Sequence, residues 1–216
     1  MKAHSFIYLI IYSCFIMSVS LQAQEHFADR YNVSYITMDD GLPHNFIDDI
    51  YKDTRGFLWI STAGGGLSRY DGYEFIHFNP NTPHSKLKSN FIHNVYEDRF
   101  HRLWIVSEGG TDIIDLSTLQ SVIPNDPKGL LPRFINHPTY IVILDSQGCI
   151  WLQCDNALHR ITFDAEGGID TLSTLDLPEQ DEPDLILKDI DEDGKIWTGI
   201  NGTIYKITPT DRKSVV

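Results

Sequence analysis

Cysteine is scarce in this chain, with only three among 216 residues. Cys14 lies in an N-terminal apolar segment and lacks the small neighbours of a lipid-attachment site. Cys149 and Cys154 flank Trp151 on one predicted strand, where five residues place their Cα atoms about 16 Å apart, beyond disulfide reach. We therefore predict that both are buried small hydrophobes and not a redox pair.

Basic residues are also few, because 17 Lys and Arg face 30 Asp and Glu, for a net charge of −13. A surface of this sign repels nucleic acid and anionic lipid headgroups. The charge balance therefore argues against nucleic acid as a partner of this region and suits a soluble exported domain.

Long apolar runs are missing outside the N-terminus. There, Lys2 supplies a positive charge, Phe6 to Met17 is apolar, and Leu21-Gln22-Ala23 ends in a small residue. This is the pattern of a secretory signal peptide, which we predict over residues 1–23. An uncleaved anchor is the alternative, although the run is shorter than the ~20 residues that a membrane span needs.

Motifs for catalysis, metals and cofactors are absent as well. No nucleophile elbow occurs, and Gly64-Gly65-Gly66 is not followed by the Lys and Ser/Thr of a phosphate loop. The segment from Asp189 to Gly194 resembles the start of a calcium loop, but Ile200 stands where a bidentate glutamate belongs. His93 and His101 share a predicted hairpin without the spacing of a zinc site. We therefore predict no catalytic residue, no metal and no cofactor.

The chain does contain a repeat, marked by tryptophans 45, 47 and 46 residues apart. An aspartate precedes each tryptophan by six residues, and a glycine precedes it by three except in the second copy, where His101 stands instead. The repeated positions are Trp59, Trp104, Trp151 and Trp197, Asp53, Asp98, Asp145 and Asp191, and Gly56, Gly148 and Gly194. A period of this length is typical of a repeat architecture.

The first copy is predicted to form four short antiparallel strands, copies three and four each contain three recognisable strands, and no stretch has a helical period. About 45 residues with four strands correspond to one blade of a β-propeller. The predicted boundaries are an incoming strand and loop at 24–45, blade 1 at 46–79, blade 2 at 91–123, blade 3 at 140–175 and an incomplete blade 4 at 184–216. The fold class is therefore an all-β propeller of four-stranded antiparallel blades, of which about four are present.

The repeated Asp-x-x-Gly segment predicts a tight turn. An aspartate side chain accepts a hydrogen bond from the backbone two residues on, and glycine adopts positive φ without a Cβ clash. Histidine also tolerates that conformation, which suits His101. Since every copy carries the tryptophan at one place, we predict that all four indoles pack between blades, each removing about 150–250 Å² from water.

The stretch from Asp40 to Phe75 resembles a two-component regulator propeller repeat. Gly41-Leu42-Pro43, Asn45, Asp53, Gly56, Trp59, Thr62, Gly66-Leu67 and Arg69-Tyr70-Asp71 fill the positions of that pattern. Weaker copies extend the resemblance to about residue 208. The second copy departs at His101 and has Asp112-Ile113 where the Gly-Leu turn is expected.

The resemblance implies a role as the periplasmic sensor of a hybrid two-component regulator from Bacteroidota. Such receptors detect oligosaccharides, switch on polysaccharide-degradation genes, and carry a membrane span, a histidine kinase and an output domain downstream. It thus implies an oligosaccharide ligand, membrane attachment only through a downstream segment, an inner-membrane receptor, and a homodimer in the full-length protein. This chain is not expected to be an enzyme. The alternative is an exported propeller-fold glycosidase or polysaccharide lyase, with an acid pair assembled across blades.

The resemblance also implies seven or more blades, so a fragment of a larger propeller is favoured over a closed ring. The segment from Tyr31 to Met38 nevertheless resembles a spare outer strand. By pairing with residues 203–208 it would complete the last blade and close a four-bladed ring.

Ligand-binding residues of a propeller are expected on the face that carries the inter-blade loops and the turns between second and third strands. Asn45 and Asn90 both stand 14 residues before a tryptophan, which favours loop capping over ligand contact. The unrepeated polar candidates are His44, Glu108, Arg133 and Asp155.

Overall fold

A computed structural model describes residues 33–83, 86–154, 157–176, 186–191, 195–200 and 203–208. The predicted signal peptide lies outside these ranges. No helix within them is long and apolar enough to cross a bilayer.

The outer strand predicted from Tyr31 to Met38 is absent from its described part. Residues 33–37 have no regular structure, and Met38–Asp40 form a 3-10 turn. Thr37 caps this turn, because its N–H donates to the Asp40 carboxylate at 2.8 Å. Gly41, at φ 106°, then ends it. The local capping interactions bend the chain where the apolar pattern predicted extension.

Four antiparallel sheets make up the rest of the described chain, and in each the strands pair in chain order. Sheet 1 contains β1 (Ile47–Lys52), β2 (Leu58–Thr62), β3 (Gly66–Tyr70) and β4 (Phe75–Phe78). Sheet 2 contains β5 (Ile92–Glu97), β6 (Arg102–Ser107), β7 (Gly110–Asp115) and β8 (Gln120–Ser121). Sheet 3 contains β9 (Thr139–Leu144), β10 (Ile150–Cys154), β11 (Ala157–Phe163) and β12 (Ile169–Asp176). Sheet 4 contains β13 (Ile186–Ile190), β14 (Ile196–Ile200) and β15 (Thr203–Ile207).

A single turn of α-helix, α1 (Pro132–Ile135), interrupts the linker between sheets 2 and 3. The linker had no predicted helix, and its helical turn is held by packing: Leu131 and Phe134 are buried in the apolar cluster between those sheets. The fold is thus all-β as the repeat predicted, with four antiparallel strands in each of sheets 1 to 3 and three described strands in sheet 4.

The repeated aspartate organises the turn between the first two strands of each sheet and also holds the indole of that sheet. One carboxylate oxygen accepts backbone N–H groups two and four residues on in the first three copies, as predicted. The other accepts the indole N–H, at 2.9 Å for Trp59–Asp53, 2.8 Å for Trp104–Asp98, 2.9 Å for Trp151–Asp145 and 2.8 Å for Trp197–Asp191. This second bond was not predicted, and it explains the constant six-residue spacing.

The glycine position of the same turn has positive φ in each described copy. Gly56 has φ 94°, Gly148 has φ 77° and His101 has φ 58°. The prediction that histidine fills this position is therefore confirmed. The second copy also keeps a glycine at the turn between its second and third strands, contrary to expectation. Gly110 faces Ser107 across β6 and β7 as Gly66 faces Thr62, because the intervening turn is one residue shorter.

Three of the four tryptophans are buried, and the fourth is not. Trp59 packs with Ile92 and Val95 of sheet 2, and Trp104 packs with Ile150 and Leu152 of sheet 3. These two indoles have no exposed surface, and Trp151 is 6% exposed. Trp197 is 37% exposed, so the prediction that all four pack between blades is wrong for this one. Trp59 and Trp104 are covered by the following sheet, and no sheet follows β15 in the described residues.

Polar contacts from the Asp-x-x-Gly turns join sheet 1 to sheet 2 and sheet 2 to sheet 3. The buried Glu97 carboxylate of sheet 2 accepts the Thr54 N–H and hydroxyl of sheet 1, both at 2.7 Å, and contacts His101 Nδ1 at 2.8 Å. Arg102 of sheet 2 donates to the Gly167 carbonyl of sheet 3 at 2.7 Å. These contacts lie at the end of the sheets opposite the turns at 63–65 and 108–109.

Candidate ligand-binding site

The loop end of the sheets is defined here by the turns at 63–65 and 108–109 and the linkers at 79–91 and 122–138. First strands begin and second strands end there, as antiparallel pairing requires. Backbone hydrogen bonds tie the turns to the chain that enters each sheet: Ala63 N donates to Phe46 O, and Gly66 N donates to Asn90 O at 3.0 Å. The loop end is therefore a continuous surface across sheets 1 and 2.

The predicted candidates fall at different places on this surface. His44 and Asn45 are exposed before β1, and His44 Nδ1 accepts the Phe46 N–H at 3.1 Å. Asn90 lies just before β5, and Glu108 N donates to the carbonyl of the next residue, Phe91. Arg133 is exposed on α1, which packs beside β7.

Asp155 lies outside the described residues, so its candidacy stays a prediction. Asn90 contributes its main-chain carbonyl to the loop contact with Gly66. The loop contact expected of Asn90 is thus made by its backbone carbonyl. Its side-chain Oδ1 has no hydrogen-bond partner within the described residues.

The first strands of sheets 1, 2 and 3 share a β-bulge near their starts. Ile47 and Asp49 face adjacent residues of β2, so Asp48 is the extra residue, and the same register shift makes His93 extra on β5. On β9 the extra residue is Tyr140. All three stand 11 residues before the tryptophan of their sheet. A bulge re-aims a side chain and often lies beside a binding site.

These side chains converge on His93. The His93 and Tyr140 rings are 5.3 Å apart between centroids and tilted by 32°. Burial lowers the pKa of His93, and the nearby Glu108 and Asp48 carboxylates act in the opposite direction. Burial thus favours the neutral imidazole, which has one donor and one acceptor nitrogen. We call Asp48, His93, Glu108 and Tyr140 the bulge cluster.

Sequence reasoning placed Glu108 among the candidates but missed the other three members. Their shared offset from the tryptophans was a usable signal. It was overlooked because Asp, His and Tyr differ in type, and a repeat is recognised by identical residues.

Buried polar atoms without a hydrogen-bond partner gather at the loop end. Four such atoms in the described residues lie at or just before the start of a first strand or near the end of a second strand: Thr62 Oγ1, Asn90 Oδ1, His93 Nε2 and Gln153 Oε1. Native proteins leave few buried polar groups unpaired, and those that remain need an explanation such as an ordered water or a ligand. The loop end is therefore the part of this surface with the most unused hydrogen-bonding capacity.

Aromatic rings are exposed at the same end. Phe46, Phe91 and Tyr140 are exposed at 63%, 50% and 36%. A Cβ at Gly64 would come within 3.7 Å of the Phe91 ring, so the glycine-rich turn lies against this phenylalanine. The arrangement of rings beside hydrogen-bonding groups is typical of pockets for polar organic ligands.

Metal-binding clusters of three or more His, Cys, Asp or Glu do not occur among the described residues. The suspected calcium loop behaves as a turn at its described residues: Asp191 accepts the Lys195 N–H and the Trp197 indole N–H, like its counterparts in the other sheets. Cys149 and Cys154 are buried and form no disulfide, as predicted.

The sequence profile of the two component regulator propeller family matches residues 41–64 and 86–109. A comparison with curated protein sequences gives no match.

Two similar solved structures are extracellular domains assigned to hybrid two component systems of B. thetaiotaomicron. One, from BT4673, is 25% identical over 79% of this chain and 24% of its own length, with a TM-score of 0.54. The other, from BT3049, is 19% identical over 81% of this chain and 30% of its own length, again at 0.54. This chain thus spans less than a third of either domain. The repeats, the sheets and the profile agree, and the chain is therefore similar to two component regulator propeller proteins in its repeat and in its fold.

Proposed function

We propose that this chain is a ligand-sensing propeller region of an exported hybrid two-component receptor, and that it recognises an oligosaccharide. The resemblance to extracellular domains of such systems supports the sensor role and a periplasmic location. The predicted signal peptide and the net charge of −13 are consistent with export. In the complete receptor, this region belongs to a homodimer in the inner membrane and regulates polysaccharide utilisation.

The observation that carries the oligosaccharide proposal is the loop end. Exposed rings there adjoin unpaired polar atoms and two carboxylates. Sugars offer a weakly polar ring face together with hydroxyl groups that both donate and accept. The loop end offers a matching surface for both features.

Isothermal titration calorimetry of the whole chain against a panel of plant and host oligosaccharides tests this proposal. We expect at least one oligosaccharide to bind at micromolar to millimolar concentration, and to be recovered unchanged by chromatography. Release of shortened or unsaturated products would replace the sensor with a glycosidase or lyase. Failure of every oligosaccharide to bind would refute the proposed ligand class.

A further inference from the structure

The bulge cluster differs from the scaffold positions of the repeat in one informative way. Positions that hold the fold carry the same residue in each copy, as the aspartates and tryptophans do. The bulge position has the same backbone role in three sheets but carries Asp48, His93 and Tyr140. A shared backbone geometry with different polar side chains indicates that the fold does not require these residue types.

The four side chains offer complementary chemistry within one small area. Tyr140 presents part of a ring face, and His93 lies against it at 5.3 Å between centroids. His93 Nε2 is buried and has no hydrogen-bond partner within the described residues. Asp48 and Glu108 are exposed carboxylates, which only accept hydrogen bonds.

This set of groups suits hydroxyl donors and disfavours anions. A hydroxyl donates to a carboxylate and also exchanges a hydrogen bond with a neutral imidazole. A carboxylate or sulfate on the ligand would meet two like charges on a chain whose net charge is already −13. No cationic side chain is among the four members of the cluster to offset that repulsion.

We propose that the bulge cluster binds an uncharged sugar unit through stacking on Tyr140 and hydrogen bonds to Asp48 and Glu108, that His93 positions the Tyr140 ring, and that the two carboxylates exclude acidic sugars. This inference rests on the proposed function and adds the site and the class of glycan. The partner class is thus a neutral glycan and not a uronate-rich or sulfated one.

Matched ligands test the charge selection. Neutral oligosaccharides that bind the whole chain are compared with the same molecules after oxidation of their primary alcohols to carboxylates. We expect oxidation to weaken binding at least tenfold in dilute buffer. The difference should shrink at about 0.5 M NaCl, where exposed charges more than a few ångströms apart are screened.

Variants test the location. Tyr140→Ala and His93→Ala should each weaken binding of the neutral ligand about tenfold or more, because each substitution removes one ring of the cluster. Tyr73→Ala and His77→Ala are the matched controls, because these exposed residues lie on the β3–β4 hairpin of sheet 1, outside the loop end. The double variant Asp48→Asn, Glu108→Gln should recover binding of the oxidised ligand.

The outcomes separate the two proposals. Equal binding of oxidised and neutral ligands, or unchanged binding in the cluster variants with normal thermal unfolding, overturns this inference and leaves the sensor role intact. An absence of binding by every glycan refutes both. Thermal unfolding of each variant identifies any that lose binding only because they fail to fold.

Discussion

Asp98 is the residue whose removal should damage this fold most through polar contacts alone. Its carboxylate is buried and accepts hydrogen bonds from the Trp104 indole at 2.8 Å and from Arg102 Nε at 2.7 Å. It also accepts the backbone N–H groups of Phe100 and Arg102. Asp98→Ala therefore leaves a buried guanidinium and an indole N–H without their acceptor.

The expected loss in the free energy of unfolding is large for one side chain. Breaking a buried ion pair by removing one partner costs about 3–5 kcal/mol, and an orphaned buried donor costs about 1–3 kcal/mol. Because both losses share one carboxylate and water can enter the space, they do not add in full. We expect about 4 kcal/mol, a major part of the roughly 5–15 kcal/mol that stabilises a domain.

Urea unfolding followed by far-ultraviolet circular dichroism measures this loss, with Asp191→Ala as the matched control. Asp191 makes the same bond to Trp197, but that indole is 37% exposed and reaches water. The control should lose about 1 kcal/mol or less. Asp98→Asn keeps a turn acceptor and loses the charge, so it should fall between the two. Equal losses for the two alanine variants would show that burial of the carboxylate does not set its contribution.

Three further predictions concern the turn glycines, a buried carboxylate and the indoles. Gly110→Ala should destabilise the chain by several kcal/mol, since its Cβ would collide with a backbone carbonyl. Gly72→Ala, also at positive φ but with open space, should cost only about 1–2 kcal/mol in thermal unfolding. Burial raises the pKa of Asp145, but its hydrogen bonds outweigh that effect and hold it below the usual value. Its contribution to stability is thus complete above about pH 4 and is lost as pH falls through the native pKa. The free energy of unfolding of Asp145→Asn should therefore fall less steeply with decreasing pH in that range than that of the unmodified chain. Trp104→Ala should cost about 3–5 kcal/mol and Trp197→Ala clearly less, because only the first indole is fully buried; equal losses would contradict this ranking.

Much of the fold was predictable because its signals are local. The bond from Asp53 to the backbone of Arg55 spans two residues, and the positive φ of His101 follows from its place in the same turn. Errors arose where local signals competed. The 3-10 turn at Met38–Asp40 replaced a predicted strand because Thr37 and Asp40 cap each other.

The candidate site was less predictable than the fold. Glu108 was predicted as a candidate because it is an unrepeated acid. His93 was considered only as a zinc ligand, and Tyr140 was not predicted. Their proximity depends on the packing of β5 beside β9 and on matching bulges in both strands. A bulge is a register shift between paired strands, so it has no signature in one strand read in isolation.

The amino-acid order was enough to specify the all-β class, the repeating turn and the period of about 46 residues, because hydrogen bonds and side-chain alternation within one sheet involve near neighbours in the chain. Tertiary packing alone determined which indoles are buried, which residue of sheet 2 accepts the hydrogen bonds from Thr54, and which polar groups lie around His93. Those properties depend on the surface that one sheet presents to the next, across separations such as the 43 residues from Thr54 to Glu97. Burial and electrostatics are set by whatever occupies the surrounding space, however distant it is along the chain.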